Sequence, residues 1–331
     1  MTSLRNYRRL GAQGPELFPL ALGCMGMSGM YGPADEAESI ATIQAALDGG
    51  VDLLDTGDFY GMGHNELLIR RALEGRRGKA LLSVKFGALR GPDGAWLGFD
   101  ARPAAVKNFL THTLTRLGVD HVDVYRPARL DPAVPIEDTI GAVSDLVKAG
   151  YVRYAGLSEV GAETVRRAHA VHPIADLQIE YSLASRGPEA KIFPALRELG
   201  VGATVYGVLS RGLLSASQPA AQGFDIRRRL PRFSRENAER NRGFVATLNE
   251  IARDKRVTGT QLAIAWVLTR APIAVPVIGA RTRRQLDEAL GALDVVLDAA
   301  DLARLERELP SSAVAGDRYD ENQMRALDSE R

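Results

Sequence analysis

Residues 51–61 have the sequence VDLLDTGDFYG, and this stretch decides how the chain is interpreted. It begins with four largely apolar residues that are typical of a buried strand. Asp55 follows where that strand should end, and Tyr60 lies five residues further on in a turn flanked by glycine. A second apolar run, at 81–86, contains Lys85. A lysine in apolar surroundings is costly unless it is paired, and Asp55 is the natural partner.

Outward from this stretch, short apolar runs alternate with segments of helical periodicity. Predicted strands lie at 21–23, 51–54, 81–86, 121–125, 152–157, 176–179, 203–206 and 273–278, after a small N-terminal hairpin over 7–20. Predicted helices lie at 36–47, 65–73, 103–117, 136–148, 162–170, 188–199, 236–253, 260–269 and 283–290. Such alternation indicates a parallel sheet, and eight units fit a single α/β domain, a (β/α)8 barrel with extra helices near the C-terminus.

The alternative is a doubly wound open sheet, which usually carries G-x-G-x-x-G between its first strand and helix. Gly23, Gly26 and Gly29 are spaced three apart and precede a long loop, so they do not fit that pattern. The barrel is therefore preferred, as one domain over residues 1–331. The polar tail at 311–331 is left open as either a lid or a disordered segment.

Composition excludes several classes of protein. The 331 residues carry a formal net charge of +1, so no overall field attracts nucleic acid or an anionic membrane. One cysteine, Cys24, excludes an intrachain disulfide framework and fits a reducing compartment. No run of about 18 apolar residues and no apolar leader occurs, so a cytoplasmic protein is expected. The scattered histidines do not predict a metal site.

In a barrel, chemistry takes place at the carboxyl ends of the strands, where Asp55, Tyr60 and Lys85 would meet. A free tyrosine has a pKa near 10, and a nearby ammonium is expected to lower it, so that Tyr60 would become an effective proton donor. The alternative is a salt bridge in the barrel mouth beside an unrelated loop tyrosine.

Two further groups of residues suggest a bound cofactor. Ser158, Gln178 and Tyr206 end successive predicted strands, and together they offer polar groups and an aromatic face to an amide-bearing ring. Taken singly, each has an ordinary structural explanation, such as a helix cap for Ser158. Residues 279–284 join the last strand to its helix, and the arginines there, beside backbone amides, predict a phosphate site. The basic loop at 227–233 is interpreted as a solvated lid.

The chain resembles the aldo-keto reductase family over nearly its whole length. The signature Asp-Thr-Ala-x-x-Tyr-Gly is similar to residues 55–61, and Arg-Leu-x-x-Asp-Tyr-hydrophobic-Asp-Leu is similar to 116–125. Three further matches are the cofactor strands at 178–182 and 206–214, and the adenine region at 278–288.

This resemblance implies a TIM barrel that binds NADPH without a Rossmann domain and transfers hydride to an aldehyde or ketone. Tyr60 would be the general acid, assisted by Lys85 and Asp55. The implied cofactor-binding residues are Gly23, Met25, Asp55, Ser158, Glu159, Gln178, Tyr206, Gly207, Leu209, Ser210, Gly212, Ile278, Gly279, Ala280, Arg281, Gln285 and Glu288. The substrate is expected to be an apolar or aromatic carbonyl, and no oligomeric state is predicted.

Three positions depart from the family pattern. Ala128 stands where the family has a catalytic histidine, Glu159 where asparagine commonly follows the serine, and Ala289 where an asparagine faces the adenine. Arg126, Arg129 or a water would have to replace the missing histidine. Two functions therefore stay open at this point: an NADPH-dependent carbonyl reductase, or an NADPH-binding sensor with weak reductase activity.

Overall fold

Eight parallel strands close into a barrel in the computed structural model, which describes residues 4–215 and 217–331. Each strand pairs with its neighbours in chain order, and the last strand pairs with the first. The expected (β/α)8 architecture is confirmed. The strands are β1 Ala21–Gly23, β2 Leu53–Gly57, β3 Leu81–Phe86, β4 Val122–Pro127, β5 Val152–Ser158, β6 Ile174–Glu180, β7 Gly202–Tyr206 and β8 Ala274–Gly279.

Helices surround the barrel and connect its strands. They are α1 Glu36–Asp48, α2 His64–Ala72, α3 Pro103–Leu117, α4 Ile136–Lys148, α5 Ala162–Val171, α6 Ile192–Leu199, α7 Arg235–Asp254, α8 Gly259–Arg270, α9 Arg283–Leu290, α10 Ala299–Glu308 and α11 Glu321–Ala326. No helix in the described ranges is long and apolar enough to cross a membrane. Most predicted boundaries agree within two residues, although α6 begins later, because Gly187–Glu189 forms a separate 3-10 turn.

Side chains along each strand alternate between the helices and the barrel interior. Leu82, Val84 and Phe86 of β3 belong to the large cluster between barrel and helices. The residues between them, Ser83 and Lys85, bond to Asp55 across the interior. The barrel interior is therefore polar towards the carboxyl ends of its strands, which is where a site can be built.

The N-terminal hairpin closes the opposite end of the barrel. Arg8–Arg9 pairs with Glu16–Leu17, as the sequence predicts, and places Leu10 and Leu17 against the first residues of several barrel strands. Both leucines are fully buried. This apolar plug fills the lower interior of the barrel, which leaves the carboxyl ends of the strands as the place for a site.

Two segments after the strands border that open end. Ala88–Arg90 pairs with Trp96–Phe99 in an antiparallel hairpin that the sequence pattern did not predict. The C-terminal segment folds back over the barrel, where Tyr319 and Leu327 pack on Leu230. This segment packs against the barrel mouth, and its carboxylate at Asp328 accepts a hydrogen bond from the backbone N–H of Gly161 at 2.8 Å.

Candidate active site

Asp55 and Lys85 form a buried ion pair at the open end of the barrel. The Lys85 Nζ lies 2.5 Å from Asp55 Oδ2, and both side chains are 6% exposed. The other oxygen of Asp55 accepts hydrogen bonds from Ser83 Oγ at 2.9 Å and Gln178 Nε2 at 2.8 Å. Adjacent strands β2 and β3 bring the two charges together, because Gly57 is in register with Lys85. Asp55 is thus fixed by three donors and holds the ammonium in one position.

Tyr60 lies directly above this pair. The Lys85 Nζ is 5.1 Å from the centroid of the Tyr60 ring, and the tyrosine is 6% exposed. The loop can bring the ring so close because Gly57 has no side chain: a Cβ there would lie 3.3 Å from Tyr60 Cε1. Asn65 secures the loop by donating to the backbone oxygen of Cys24 at 2.8 Å. The structure therefore assembles the three residues that the sequence singled out.

The expected lowering of the pKa of Tyr60 is wrong. Burial raises the pKa of Tyr60 well above its ordinary value, and the negative charge of Asp55 raises it further, while Arg129 lowers it. Burial also lowers the pKa of Lys85. The balance of charges explains the reversal, since Asp55 neutralises Lys85 and desolvation of the phenolate then outweighs the remaining attraction. Tyr60 consequently keeps its proton at every physiological pH.

A second buried ion pair, which the sequence reasoning missed, supports the first from inside the barrel. Arg126 is fully buried and donates to Asp176 at 2.9 Å and to Ser83 Oγ at 2.8 Å. The predicted strand ended at Tyr125, whereas β4 extends to Pro127 and points Arg126 inwards. The sequence did carry a signal for a polar barrel interior, because polar residues occupy every second position of β3 and β6. These bonds hold Arg126 inside the barrel, so it is not available to act in place of a histidine at position 128.

Ser158 lies at the carboxyl end of a barrel strand, beside Gln178. It ends β5 in register with Gln178 of β6, and its side chain is buried. It does not cap α5, whose N-cap is Gly161. Its Oγ has no hydrogen-bond partner among the residues at 4–215 and 217–331. A buried hydroxyl without a partner is costly, so a bound polar ligand would satisfy it.

Tyr206 and Glu159 are joined to the C-terminal segment. Tyr206 donates to Glu159 Oε1 at 2.8 Å, and its hydroxyl lies 2.9 Å from that of Tyr319. Glu159 is fully buried and ion-paired with Arg318 at 2.6 Å. Burial alone would raise the pKa of Glu159, but Arg318 and the neighbouring donors bring it to about 2. Glu159 is therefore ionised, and it anchors the segment to the mouth of the barrel.

The loop after β7, which contains Gly207, Leu209, Ser210 and Gly212, has an unusual backbone. Ser210 and Arg211 have φ values of 47° and 56°, in the left-handed region that non-glycine residues rarely adopt. Gly207 is required at its position, since a Cβ there would lie 2.9 Å from Glu180 Cγ. Two adjacent strained residues indicate that the surrounding contacts determine this loop, as is common at binding sites.

The predicted phosphate region lies where β8 meets β1. Gly279 of β8 is in register with Gly23 of β1, so Ile278, Gly279 and Ala280 adjoin the loop that contains Met25. Arg281 spans this junction and donates to the backbone oxygens of Tyr31 at 3.0 Å and Pro33 at 3.3 Å.

The first turn of α9 completes that region. Gln285 accepts from the backbone N–H of Arg281 at 2.8 Å, and Glu288 accepts from Thr258 Oγ1 at 2.9 Å. Arg283 is ion-paired with Glu38 at 2.9 Å, which leaves Arg281 as the arginine nearest to the strand end. Open space surrounds Gly279, where an added Cβ would meet no atom within 4 Å.

Ala128 and Arg129 follow β4 on the rim of the site. Ala128 is 2% exposed, and its N–H donates to the backbone oxygen of Phe86 at 2.8 Å. Arg129 is half-buried and donates to Tyr319 Oη at 3.0 Å. Of the two arginines considered as substitutes for a histidine, Arg126 is bonded inside the barrel, whereas Arg129 lies at the rim against Tyr319.

Known proteins are similar to this chain in sequence and in fold. The pattern of the Aldo/keto reductase family matches residues 19–309. The chain is 39% identical over 318 residues to a protein described as probable aldo-keto reductase 1 of Glycine max, covering 94% of this chain and 91% of that protein.

Among solved structures, a glycerol dehydrogenase of Gluconobacter oxydans is similar with a TM-score of 0.81 at 26% identity, covering 99% of this chain and 98% of that one. The holo form of an aldo-keto reductase of Bacillus halodurans has a TM-score of 0.75 at 25% identity, covering 93% and 97%. With the Asp55–Lys85 pair beneath Tyr60, these matches show that the chain belongs to the aldo/keto reductase family of oxidoreductases.

Proposed function

We propose that this protein reduces an aldehyde or ketone with NADPH and that Tyr60 donates the proton. The observation that carries the proposal is the buried Lys85–Asp55 pair directly beneath the Tyr60 ring. Family membership supports an oxidoreductase that acts on small carbonyl compounds. Bound NADPH would supply the hydride that the carbonyl carbon accepts.

The residues around the site fit that cofactor. Ser158 has a buried hydroxyl that lacks a partner, which suits the carboxamide of nicotinamide. Gln178 and Tyr206 would hold the same ring, while the loop from Gly207 to Gly212 would face the pyrophosphate. Arg281, beside the open space at Gly279, would bind the 2′-phosphate.

Tyr60 carries its proton in the resting site, because burial and Asp55 raise its pKa. As negative charge develops on the carbonyl oxygen, the phenolic O–H transfers its proton there and the phenolate remains. Lys85 stabilises that phenolate, since its ammonium lies under the ring and Asp55 holds it in place. The product is an alcohol, and Tyr60 regains a proton from solvent.

Replacement of the tyrosine hydroxyl tests the assignment. In the Tyr60→Phe variant we expect turnover of a panel of aldehydes with NADPH to fall by about 10²- to 10⁴-fold, the usual contribution of a general acid. The measurement is the loss of NADPH absorbance. Tyr151→Phe is the matched control, because Tyr151 is 50% exposed. Equal turnover in the Tyr60→Phe and control variants would refute the role of Tyr60.

The cofactor assignment has its own test. Arg281→Ala should weaken NADPH binding by about 10- to 100-fold, the value of a charge-assisted hydrogen bond, and should weaken NADH binding far less. Titration calorimetry measures both affinities. Arg242→Ala is the control, since Arg242 is 73% exposed on α7. An equal loss for the two cofactors would show that Arg281 does not contact the 2′-phosphate.

A second candidate function is a cofactor-binding sensor with weak reductase activity. Ala128 favours it, because an alanine side chain donates no hydrogen bond to a substrate carbonyl. Tight NADPH binding with no turnover of any aldehyde in the panel would support the sensor. Turnover that rises in the Ala128→His variant would support a reductase weakened at this position.

A further inference from the structure

We propose that the carbonyl substrate carries a carboxylate group and that Arg129 binds this carboxylate beside Tyr60. The inference deepens the proposed reductase function and rests on it. It replaces the expectation of a purely apolar or aromatic substrate.

Arg129 is distinguished by its neutral partners. Its guanidinium donates to the backbone oxygen of Ala128 at 2.6 Å and to Tyr319 Oη at 3.0 Å. No carboxylate of the described residues lies within ion-pair distance of it, whereas Arg126 of the same strand region is paired with Asp176. A guanidinium has five donors, so two neutral contacts leave donors for a ligand.

Three other arginines near the mouth of the barrel have carboxylate partners. Arg318 pairs with Glu159 and Glu330, while Arg211 and Arg232 share the single carboxylate of Glu180. Each of these three arginines therefore has a carboxylate within ion-pair distance, whereas Arg129 has only the longer-range attraction of Glu159. A partly buried guanidinium without a direct ion pair favours an anionic ligand that can supply one.

Arg129 lies beside residues that we propose contact the substrate and the nicotinamide. Its guanidinium donates to Tyr319 Oη at 3.0 Å, and that hydroxyl lies 2.9 Å from the hydroxyl of Tyr206, one of the proposed nicotinamide-binding residues. Arg129 directly follows Ala128, the position where the family has its substrate-orienting histidine. A ligand bound by Arg129 would therefore have its other groups within reach of Tyr60.

Two further arginines, Arg90 and Arg229, add positive charge near the rim of the site. Arg90 lies on the hairpin after β3, with its guanidinium 4.8 Å from the Trp96 ring. Burial lowers the pKa of Arg90, and the charge of Arg229 lowers it further, so the two cations are near enough to act on each other. Like charges around an opening concentrate anions there and accelerate their entry.

The anion that we propose for Arg129 is not a phosphate group of NADPH. The proposed phosphate residues follow β7 and β8, and β4 lies four strands away from β8 in the closed barrel. In an eight-stranded barrel, strands four apart are on opposite sides. Arg129 and Arg281 therefore border opposite sides of the opening, and an anion at Arg129 belongs to the substrate.

A matched pair of aldehydes tests the proposal with the full-length protein and NADPH. 4-Carboxybenzaldehyde and methyl 4-formylbenzoate share the reacting group and differ mainly in the charge. We expect the wild-type kcat/KM to be higher for the carboxylate. In Arg129→Gln this preference should fall by about 10- to 100-fold, the value of a hydrogen bond to a charged group. Arg129→Lys should retain part of the preference, and Arg242→Gln should retain all of it.

A binding measurement separates this proposal from the proposed function. If wild-type protein reduces neither aldehyde, reductase function fails, and titration of 4-(hydroxymethyl)benzoate and its methyl ester onto the NADP⁺-saturated protein still tests Arg129. Tighter binding of the acid that disappears in Arg129→Gln supports the carboxylate subsite. Equal affinity for acid and ester overturns it. So does a loss of NADPH affinity in Arg129→Gln with unchanged selectivity, since the anion would then be a cofactor phosphate.

Discussion

Replacing Arg318 by methionine should loosen the C-terminal segment from the barrel. Arg318 lies 2.6 Å from Glu159, which is fully buried, and 2.7 Å from Glu330. The Arg318→Met variant keeps most of the side-chain volume but leaves the Glu159 charge without its cation. Tyr206 at 2.8 Å and Ser329 at 2.7 Å remain as neutral donors, and they compensate only part of the charge.

Two estimates of the free energy lost in the Arg318→Met variant agree. The pKa of Glu159 is about 2 in the folded protein, against about 4.3 for a free glutamate, which corresponds to roughly 3 kcal/mol left after the burial penalty, with Arg318 the largest favourable contribution and Arg129 and Ser329 smaller ones. Removal of one partner from a buried ion pair typically costs about 3–5 kcal/mol. We therefore expect a loss of about 3 kcal/mol, limited by the free energy needed to detach the segment and expose Glu159 to water.

Urea denaturation and limited proteolysis measure these two outcomes. Arg318→Met should unfold at lower urea concentration or release the segment to protease at a urea concentration that leaves the barrel folded. Arg325→Met is the control, since the Arg325–Glu321 pair is 66% and 84% exposed and such a pair contributes about 0.3–0.5 kcal/mol. The double variant Arg318→Met/Glu159→Gln should lose less than Arg318→Met, because no unpaired charge remains.

The pH dependence gives a further check on the same pair. A carboxyl whose pKa is depressed in the folded state contributes stability above its unfolded pKa, and this contribution is lost as pH falls through the folded pKa. The difference between wild type and Arg318→Met should thus be full above about pH 4.3 and close towards about pH 2. Equal midpoints for Arg318→Met and Arg325→Met at pH 7, with equal protease resistance, would refute the reasoning.

Two other perturbations probe the rest of the fold. Burial raises the pKa of Asp58 to about 7, and its Oδ1 has no partner within 4–215 and 217–331. A raised carboxyl pKa costs stability as pH rises, so wild type should lose up to roughly 4 kcal/mol between about pH 4 and 7, and Asp58→Asn should flatten that loss in thermal unfolding. Trp266 is fully buried and stacks on Tyr181 with ring centroids 5.4 Å apart. Trp266→Ala should lower the free energy of unfolding by about 3–5 kcal/mol in urea, and a loss below about 1 kcal/mol would contradict the packing.

Strand periodicity made the barrel predictable, because parallel strands and their crossover helices leave local patterns in the chain. The same patterns placed Asp55, Tyr60 and Lys85 at one end of the barrel, since every strand of a parallel barrel ends on the same face. The hairpin from Ala88 to Phe99 was not predicted, because its strands are three and four residues long and lack clear alternation.

The sequence by itself determined the fold class and the members of the proposed catalytic group. It did not determine the electrostatics: the direction of the Tyr60 pKa depends on burial and on how Asp55 compensates Lys85, which exist only after folding. Nor did it reveal the Glu159–Arg318 pair, whose partners are 159 residues apart and follow no local pattern. Tertiary structure alone decided that Arg126 is neutralised within the barrel while Arg129 has no ion-pair partner among the described residues, because charge balance is a property of neighbours in space.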